Sequence, residues 1–292
     1  MLSILIPVYN YNVVPLVLEL NKQCLECKID FEILVFNDGS KQFQVENQKI
    51  NSLENCHFEV LETNIGRSAI RNLLAKKAKF ENLLFLDADT IPVYSNFINK
   101  YTESINLEYQ VVLGGLRYEN NKPDDKFTFR LKYGKKREEK KHSERNINPY
   151  QFVFSGNILI QKKIFLATNY ASNNSFYGMD VFFAYQLFIK KIEILHIENP
   201  IYHLGLESNI VFFEKSLKAV ESRKQFLIDC DQIEKLSPLI KSYKKIKKYK
   251  LLPIVRLIFK LTKPILKNLI LNKNPNLHYF DLYRLGYLCS LK

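Results

Sequence analysis

Two aspartates, Asp87 and Asp89, directly follow the apolar run Leu-Leu-Phe-Leu at residues 83–86. Such a run ending in polar residues predicts a strand buried on both faces, and ligands of open α/β sheets bind beyond the carboxyl ends of such strands. Residues two apart in an extended segment point the same way, so the two carboxylates repel each other unless a cation lies between them. The spacing fits a divalent cation that also binds phosphate oxygens. A solvated turn is the open alternative.

Polar residues also end the other predicted strands of the first hundred residues. These strands cover residues 2–7, 31–36, 58–61 and 83–86, with helices over 13–25, 43–53 and 69–78. The alternation predicts a doubly wound, mostly parallel α/β sheet, whose strand ends meet at one rim. The polar residues at that rim are Asn10, Asp38, Asn64, Arg67, Asp87 and Asp89. The glycine-rich dinucleotide fingerprint and the phosphate-loop lysine motif are both absent.

Further candidates follow in the second hundred residues. A charged segment at 118–150 is either a solvated face or a lid beside a site. Gly156 interrupts a strand predicted over 152–160, where a ligand or backbone can approach closely. Asp180 begins a predicted helix, where an acid is favoured by the helix dipole and can be a simple cap. His203 precedes a glycine in a predicted loop.

The charge of the chain is concentrated in its last part. The net charge is +13, and residues 236–292 carry 13 Lys and Arg against one acid, Asp281. In the segment 251–271 the residues Arg256, Lys260, Lys263 and Lys267 share one helical face. A basic amphipathic helix of this kind predicts peripheral contact of 236–292 with an anionic membrane. A helical appendage with a solvated basic side is the alternative, and nucleic-acid binding is disfavoured.

Cysteine usage and hydropathy predict the compartment. The five cysteines are odd in number and scattered, which is typical of a reducing environment rather than a disulfide framework. No apolar stretch reaches the roughly 18 residues of a spanning helix, and no signal peptide is recognisable. We therefore expect a cytoplasmic protein, peripheral at the inner face of the plasma membrane if the basic segment binds lipid.

The motifs together resemble those of the family 2 glycosyltransferases, which have the GT-A fold. The resemblance covers about residues 2–205 and predicts a GT-A domain over 1–205, with a helical, basic extension over 206–292. The motifs are Ile-Pro-Val-Tyr-Asn at 6–10, Asn-Asp-Gly-Ser at 37–40, Asn-Ile-Gly-Arg-Ser-Ala-Ile-Arg-Asn at 64–72, Asp-Ala-Asp at 87–89, Ser-Gly-Asn at 155–157 and Gly-Met-Asp at 178–180.

The resemblance implies a role for each matched residue. Nucleotide binding is implied for Pro7, Tyr9, Asn10, Asp38, Asn64, Arg67 and Asp87, with Asp38 accepting a hydrogen bond from the base, expected to be uracil. Binding of Mn²⁺ or Mg²⁺ is implied for Asp89, Asp87 and His203. Contact with the donor or acceptor sugar is implied for Ser155, Gly156, Asn157 and Met179. Asp180 matches the catalytic base, and Met179 replaces the glutamate usual before it.

The implied reaction is transfer of a sugar from a nucleoside diphosphate, expected to be UDP, to a hydroxyl of a glycan or lipid-linked acceptor in cell-envelope polysaccharide synthesis. A single displacement with one general base and no enzyme nucleophile inverts the anomeric centre. Two alternatives are a catalytically lapsed sugar-nucleotide-binding or scaffold protein, which Met179 favours, and a nucleotidyltransferase. The latter needs a glycine-rich, lysine-containing loop after the first strand, which is absent.

Overall fold

The chain folds into two compact units in the computed structural model, which describes residues 1–105, 107, 109–119, 124–170 and 176–291. The first unit contains residues 1–119, 139–175 and 186–205, and the second contains 120–138, 176–185 and 206–292. The sequence predicted a single boundary between 205 and 206, so two segments assigned to the first domain belong to the second unit. Aromatic packing explains part of this difference, because Phe129 lies 5.3 Å from Phe212 between ring centroids.

The strands of the described chain all lie in the first unit and form two sheets. They are β1 (Leu2–Val8), β2 (Phe31–Asn37), β3 (Cys56–Val60), β4 (Asn82–Leu86), β5 (Thr90–Pro92), β6 (Val111–Leu113), β7 (Leu116–Arg117), β8 (Asn157–Gln161), β9 (Ile194–His196) and β10 (Ile201–His203). The larger sheet has the order β3-β2-β1-β4-β8-β6-β9, and only β8 runs antiparallel to its neighbours. The smaller sheet has the order β5-β10-β7. The prediction of a mostly parallel α/β sheet is confirmed.

Helices occur in both units. They are α1 (Val14–Cys27), α2 (Gln44–Gln48), α3 (Arg67–Lys77), α4 (Phe97–Ile105), α5 (Thr128–Tyr133), α6 (His142–Ile147), α7 (Lys162–Thr168), α8 (Asp180–Ile189), α9 (Asn209–Leu227), α10 (Pro238–Lys248), α11 (Leu252–Leu271) and α12 (Leu277–Ser290). Shorter helical turns cover Lys49–Ser52, Asp125–Phe127, Gly134–Glu138, Pro149–Phe152 and Ile233–Lys235. None of the helices in the described residues is long and apolar enough to cross a bilayer.

The core of the first unit follows from the apolar strands. Leu2, Ile4, Leu5 and Ile6 of β1 are fully buried, as expected for a central strand covered on both faces. β4 beside it is equally buried from Leu83 to Leu86. These two neighbouring parallel strands therefore carry their carboxyl ends to one rim, which is the arrangement that the apolar runs predict.

A buried arginine organises the far side of the larger sheet. Arg145 of α6 donates to the carbonyl oxygens of Leu113, Gly114 and Ile197 at 3.2, 3.1 and 2.8 Å. It also lies 2.8 Å from Nδ1 of His196, whose Nε2 lies 2.9 Å from the Pro149 oxygen. Because an arginine can only donate, Nδ1 accepts and Nε2 carries the proton. The charged segment 118–150 is therefore not a simple solvated loop, since it includes helices and this buried cation.

Acid should destabilise the protein through His196. Burial, together with the charge of Arg145, lowers the pKa of His196 to about 4 despite the bond to Pro149. In the unfolded chain His196 takes up a proton near pH 6.5, whereas in the folded chain it stays neutral until about pH 4. The free energy of unfolding is therefore highest at pH 7 and above, and it falls as the pH decreases below 6.5. Between pH 7 and 5 we expect a loss of about 2 kcal/mol in the free energy of unfolding.

Urea denaturation at several pH values measures this loss. In His196→Gln the difference between pH 7 and 5 should shrink by most of that amount, whereas exposed His57→Gln should keep it. An unchanged pH dependence in His196→Gln would contradict the assignment.

The second unit has an aromatic core, to which apolar residues of the basic segment 236–292 contribute. The buried members of its main cluster are Phe129, Phe212, Phe213, Phe259, Ile270, Phe280 and Tyr283. Phe259 of α11 packs edge-on against Tyr283 of α12, with ring centroids 5.1 Å apart. A Cβ at Gly286 would lie 2.3 Å from the Phe259 ring, so α12 approaches α11 closely at this glycine. The expected helix over the basic segment is present, and α11 continues through Pro264.

Candidate active site

The turn after β4 presents the two aspartates at the rim of the larger sheet. The backbone N–H of Asp87 donates to the Gly156 oxygen at 3.1 Å, as an extension of the β4–β8 pairing. The Thr90 hydroxyl donates to the Asp87 carbonyl at 2.7 Å and closes the turn. Asp87 and Asp89 are therefore held by backbone contacts on both sides rather than lying in a free loop.

Two arginines of α3 bind the carboxylate of Asp87. Arg67 Nη2 lies 3.1 Å from Asp87 Oδ2, and Arg71 pairs with Oδ1. Arg71 is buried and also donates to the Ser155 hydroxyl at 2.9 Å. Burial alone would raise the pKa of Asp87, but the charges of Arg67, Arg71 and His203 hold it below its usual value. Asp87 is therefore ionised at neutral pH.

The motif at residues 64–72 includes both arginines, but the family resemblance implied a role for Arg67 and none for Arg71. The available signal was their spacing, because residues i and i+4 share one face of a helix. Arg67 keeps about half of its side chain exposed while Arg71 is almost covered. The pair thus combines a fixed inner cation with an outer cation that solvent can reach.

The smaller sheet brings His203 to Asp89. β10 pairs antiparallel with β5 so that His203 lies opposite Thr90, the residue after Asp89. The Leu204 N–H donates to the Asp89 carbonyl at 2.8 Å, and His203 Nε2 lies 3.5 Å from Asp89 Oδ2. Burial raises the pKa of Asp89; the charge of His203 opposes this effect and that of Asp87 adds to it. No local pattern predicts the register of β10, so only the structure provides this contact.

Tyr11 is a rim residue that the sequence did not single out. Burial raises the pKa of its hydroxyl, and the negative charge of Asp89 raises the pKa further. Tyr11 is therefore close enough to Asp89 for the two groups to interact electrostatically. Tyr11 occurs four residues after Pro7 in the first motif. Its position in the loop after β1 was the only available signal.

Asp89 and His203 could take part in binding a divalent cation. They offer a carboxylate oxygen and an imidazole nitrogen, donors that suit Mn²⁺ or Mg²⁺ when phosphate oxygens complete the coordination. His203 Nδ1 is buried and has no hydrogen-bond partner among the described residues, the kind of group that a bound ligand can satisfy. No cluster of three or more His, Cys, Asp or Glu side chains suited to a metal occurs in the described part of the chain. Asp87 differs from these two because the arginines already neutralise it.

Asp38 lies at the end of β2 and binds the loop before α3. Its Oδ1 accepts from the Ile65 N–H at 2.7 Å and its Oδ2 from the Gly66 N–H at 3.0 Å. Burial raises the pKa of Asp38 and these two bonds oppose the increase. Asn64 donates to the Asp38 carbonyl at 3.1 Å. The carboxylate keeps further lone pairs, but its observed contacts hold the loop that carries Arg67.

The loop after β1 is tied to the loop after β2. The Asn10 N–H donates to the Ser40 hydroxyl at 2.7 Å, and the Asn10 side-chain oxygen accepts from the Lys41 N–H at 3.0 Å. Asn10 has φ +50°, a conformation that asparagine tolerates well. Pro7 lies within β1, and Tyr9 beyond it is 58% exposed. Tyr9 therefore offers a ring face at the rim, whereas Asn10 is engaged in holding the loops.

The three residues of the Ser-Gly-Asn motif have different surroundings. Ser155 accepts from Arg71, as described above, and a Cβ at Gly156 would lie 2.3 Å from Asp87 Oδ2. Asn157 is fully buried, donates to the carbonyls of Gly115 and Asn199 at 2.8 and 3.0 Å, and accepts from the Tyr101 hydroxyl at 2.6 Å. The proposed sugar contact of Asn157 therefore receives no support from its position, because its side chain is used inside the fold.

Replacing Gly205 by Ala should impair the rim without unfolding the protein. A Cβ at this position would lie 2.0 Å from Asp89 Oδ2 and would displace that carboxylate. We expect a loss of about 10–100-fold in activity or in Mn²⁺ affinity, the range typical of disturbed metal-ligand positioning. Leu204→Ala, a neighbouring change at an exposed side chain, is the matched control. Equal kinetics in the two variants would show that Asp89 need not keep its position.

Asp180 and Met179 belong to the second unit, whereas the other predicted site residues belong to the first. Asp180 lies half-buried in the first turn of α8. Gly178 before it has φ +81°, and a Cβ there would lie 2.6 Å from the Ala219 Cβ of α9. On the other side, Phe182 packs against Phe226 with ring centroids 6.4 Å apart. The start of α8 is therefore fixed on α9 between these two contacts.

Arg223 lies on α9 between Ala219 and Phe226. Burial and the nearby charge of Arg284 lower the pKa of Arg223 to about 10, and the negative charge of Asp180 opposes this decrease. None of the sequence motifs includes Arg223. Its spacing of four residues after Ala219 places it on the face of α9 that meets the start of α8.

Comparison with known proteins gives a family and a fold. The sequence model described as "Glycosyl transferase family 2" matches residues 3–166. The crystal structure of S. aureus TarS superposes with a TM-score of 0.52 at 19% identity, covering 80% of this chain and 41% of the TarS chain. A structure of S. aureus TarS 1-349 in complex with UDP-GlcNAc has a TM-score of 0.47 at 18% identity, covering 80% and 69% of the two chains. No curated protein sequence matches the chain. The similarity to the first structure shows a shared GT-A fold, and the chain spans about two fifths of that protein.

Proposed function

Because this chain belongs to glycosyl transferase family 2, we propose that it transfers a sugar from a nucleoside diphosphate donor, UDP being expected, to an acceptor hydroxyl. The observation that carries the proposal is the rim itself, where Asp89 and His203 lie 3.5 Å apart beside an Asp87 held by Arg67 and Arg71. An arrangement of cations and metal-binding donors at the carboxyl ends of parallel strands suits a diphosphate.

The rim residues divide the work of binding the donor. Tyr9 is exposed enough to contact the base, and Asp38 both shapes the loop before α3 and keeps lone pairs for the base. Arg67 reaches solvent and can bind a phosphate oxygen while Arg71 fixes Asp87. This division assigns a binding role to Arg67 and a positioning role to Arg71.

A divalent metal ion is part of the proposal, since enzymes of this family generally use one. Asp89 and His203 would hold Mn²⁺ or Mg²⁺, with Asp87 next to it as an ionised neighbour. When bound, the metal stabilises the negative charge that builds on the diphosphate leaving group. The arginines supply additional positive charge at the same rim.

Asp180 is proposed as the general base that takes the proton of the acceptor hydroxyl. It would act in a single displacement that inverts the anomeric centre, because the proposal includes no enzyme nucleophile. Met179 stands where the family usually has glutamate, so acceptor orientation must rely on other groups. A catalytically lapsed nucleotide-binding protein is the second candidate, and Met179 is the feature that favours it.

The acceptor is proposed to be a glycan or a lipid-linked glycan of the cell envelope, with the enzyme acting in the cytoplasm. The strongly basic residues 236–292 support an anionic partner. Gly156 adjoins Asp87, and Ser155 accepts from Arg71, which binds that aspartate; these contacts support their proposed place near the donor.

Release of the nucleoside diphosphate from a panel of sugar nucleotides, with Mn²⁺ and with EDTA, tests this function. The proposal predicts metal-dependent UDP release from one donor and faster release when an acceptor is present. UDP release at the same rate in EDTA would contradict the proposed requirement for a divalent metal ion. Nucleotide binding without release, with acceptor glycans included, would favour the lapsed protein.

A further inference from the structure

Helix α11 has two apolar faces, and only one of them is used inside the protein. Phe259 and Ile270 are buried in the aromatic core of the second unit. The other face carries five large apolar side chains that are 54–68% exposed. They are Ile254, Leu257, Ile258, Leu261 and Ile265, which we call the α11 stripe. Their spacing of i, i+3, i+4, i+7 and i+11 aligns them along one side of the helix.

A continuous exposed apolar stripe of this size is unusual on a solvated helix. Single exposed leucines are common, but a contiguous patch indicates an interaction surface. The ends of the stripe are eleven residues apart in the chain, about 16 Å at the rise of an α-helix. The hydrocarbon core of a bilayer is about 30 Å thick. The stripe is therefore suited to lie along a surface rather than to cross it.

The segment that carries the stripe is strongly basic. Residues 236–280, which include α10 and α11, contain eleven Lys and Arg and no Asp or Glu. Lys248 and Lys250 at the junction between α10 and α11 are exposed and pair with no carboxylate among the described residues. Their long side chains can direct their charge toward an interface while their stems cover apolar surface.

The junction between α10 and α11 adds an aromatic group to the same basic segment. Tyr249 is 67% exposed and lies between Lys248 and Lys250 in the chain. Leu251, which follows, is 42% exposed. An exposed tyrosine beside lysines is typical of segments that bind at the level of lipid headgroups.

We propose that the α11 stripe, with Lys248, Tyr249 and Lys250 of the α10–α11 junction, binds in the plane of an anionic lipid bilayer. A bilayer is favoured over a second copy of this chain because joining two stripes would bring two strongly basic segments together. That arrangement costs electrostatic energy, whereas anionic headgroups complement the charge. The expectation that the lipid surface carries the acceptor rests on the proposed function, but the lipid binding itself does not.

Co-sedimentation of the full chain with lipid vesicles tests the proposal. Vesicles of phosphatidylcholine alone are compared with vesicles of equal parts phosphatidylcholine and phosphatidylglycerol. We expect binding to the mixed vesicles, weakened by high salt because the headgroup attraction is screened. Leu257→Asn with Leu261→Asn should lower the partition coefficient by about ten-fold or more. Lys248→Gln with Lys250→Gln should lower it about 25-fold, at roughly five-fold for each charge.

Matched variants separate the stripe from general surface effects. Val45→Asn with Ile147→Asn removes two side chains that are 79% and 76% exposed in the first unit, and it should leave vesicle binding unchanged. Circular dichroism checks that each variant is folded, as expected for exposed positions. Because the assay needs no sugar donor, its outcome is independent of whether UDP release is observed.

Three outcomes would overturn the proposal. The first is equal binding to the two kinds of vesicle. The second is stripe variants that bind as the unaltered chain does. The third is an unaltered chain that does not bind vesicles but forms a dimer by light scattering, when Leu257→Asn with Leu261→Asn is a monomer. That result would assign the stripe to self-association.

Discussion

Replacing Asp89 by Asn should lower kcat/KM for sugar transfer by at least about 100-fold, because the change removes a charge from the group that best fits the metal and diphosphate. The amide has nearly the shape of the carboxylate, so the fold should persist. Burial raises the pKa of Asp89 and the charge of Asp87 raises it further, which indicates a carboxylate that gains from a nearby cation. The measurement is initial-rate kinetics with the donor identified by UDP release.

A matched control uses an exposed acid of the same unit. Asp30→Asn, before β2, should retain the activity of the unaltered chain. Transfer that persists at normal rates in Asp89→Asn would exclude Asp89 from the metal and diphosphate site. Extra Mn²⁺ that restores part of the lost rate would instead support a weakened metal site.

Replacing Asp180 by Asn should lower kcat by about 10²–10⁴-fold, the usual contribution of a general base. Donor binding should remain, because the proposed donor site is built from residues of the first unit. The helix dipole favours an acid in the first turn of α8, so a small loss of stability, about 0.3–1 kcal/mol, is also expected. Single-turnover kinetics separate the chemical step from binding.

The control for this second prediction is Asp229→Asn, an exposed acid just after α9. It should change neither kcat nor KM. An Asp180→Asn enzyme with unchanged kcat would show that another group takes the proton. A rise in KM for UDP-sugar with unchanged kcat would assign Asp180 to substrate binding instead.

The main features of the fold were predictable because the local pattern and the final environment agree. The apolar runs of β1 and β4 are buried on both faces, and each is followed by polar residues that lie at the rim. The alternation of strands and helices predicted the mostly parallel order, and the antiparallel β8 is the one departure in the larger sheet. Strand position within a sheet depends on contacts between residues far apart, which periodicity does not encode.

The site was less predictable because its contacts depend on register and on long-range packing. His203 reaches Asp89 through the pairing of β10 with β5, which no local signal specified. Arg71 binds Asp87 and Ser155 across the rim, and Asn157 is fully engaged inside the sheet. The sequence identifies these positions as polar. Whether each side chain faces a ligand or stabilises the fold depends on its burial and its hydrogen-bond partners, which only the structure provides.

The most direct test of the central claim is calorimetric titration of UDP into the full chain with Mn²⁺ and with EDTA. The rim of the larger sheet is claimed to bind a nucleoside diphosphate through Asp89, His203 and the arginine pair of α3. We expect saturable UDP binding with Mn²⁺ that weakens strongly in EDTA and in Asp89→Asn, while Asp30→Asn binds normally. Absence of UDP binding, or equal binding by the chain and by Asp89→Asn, would contradict it.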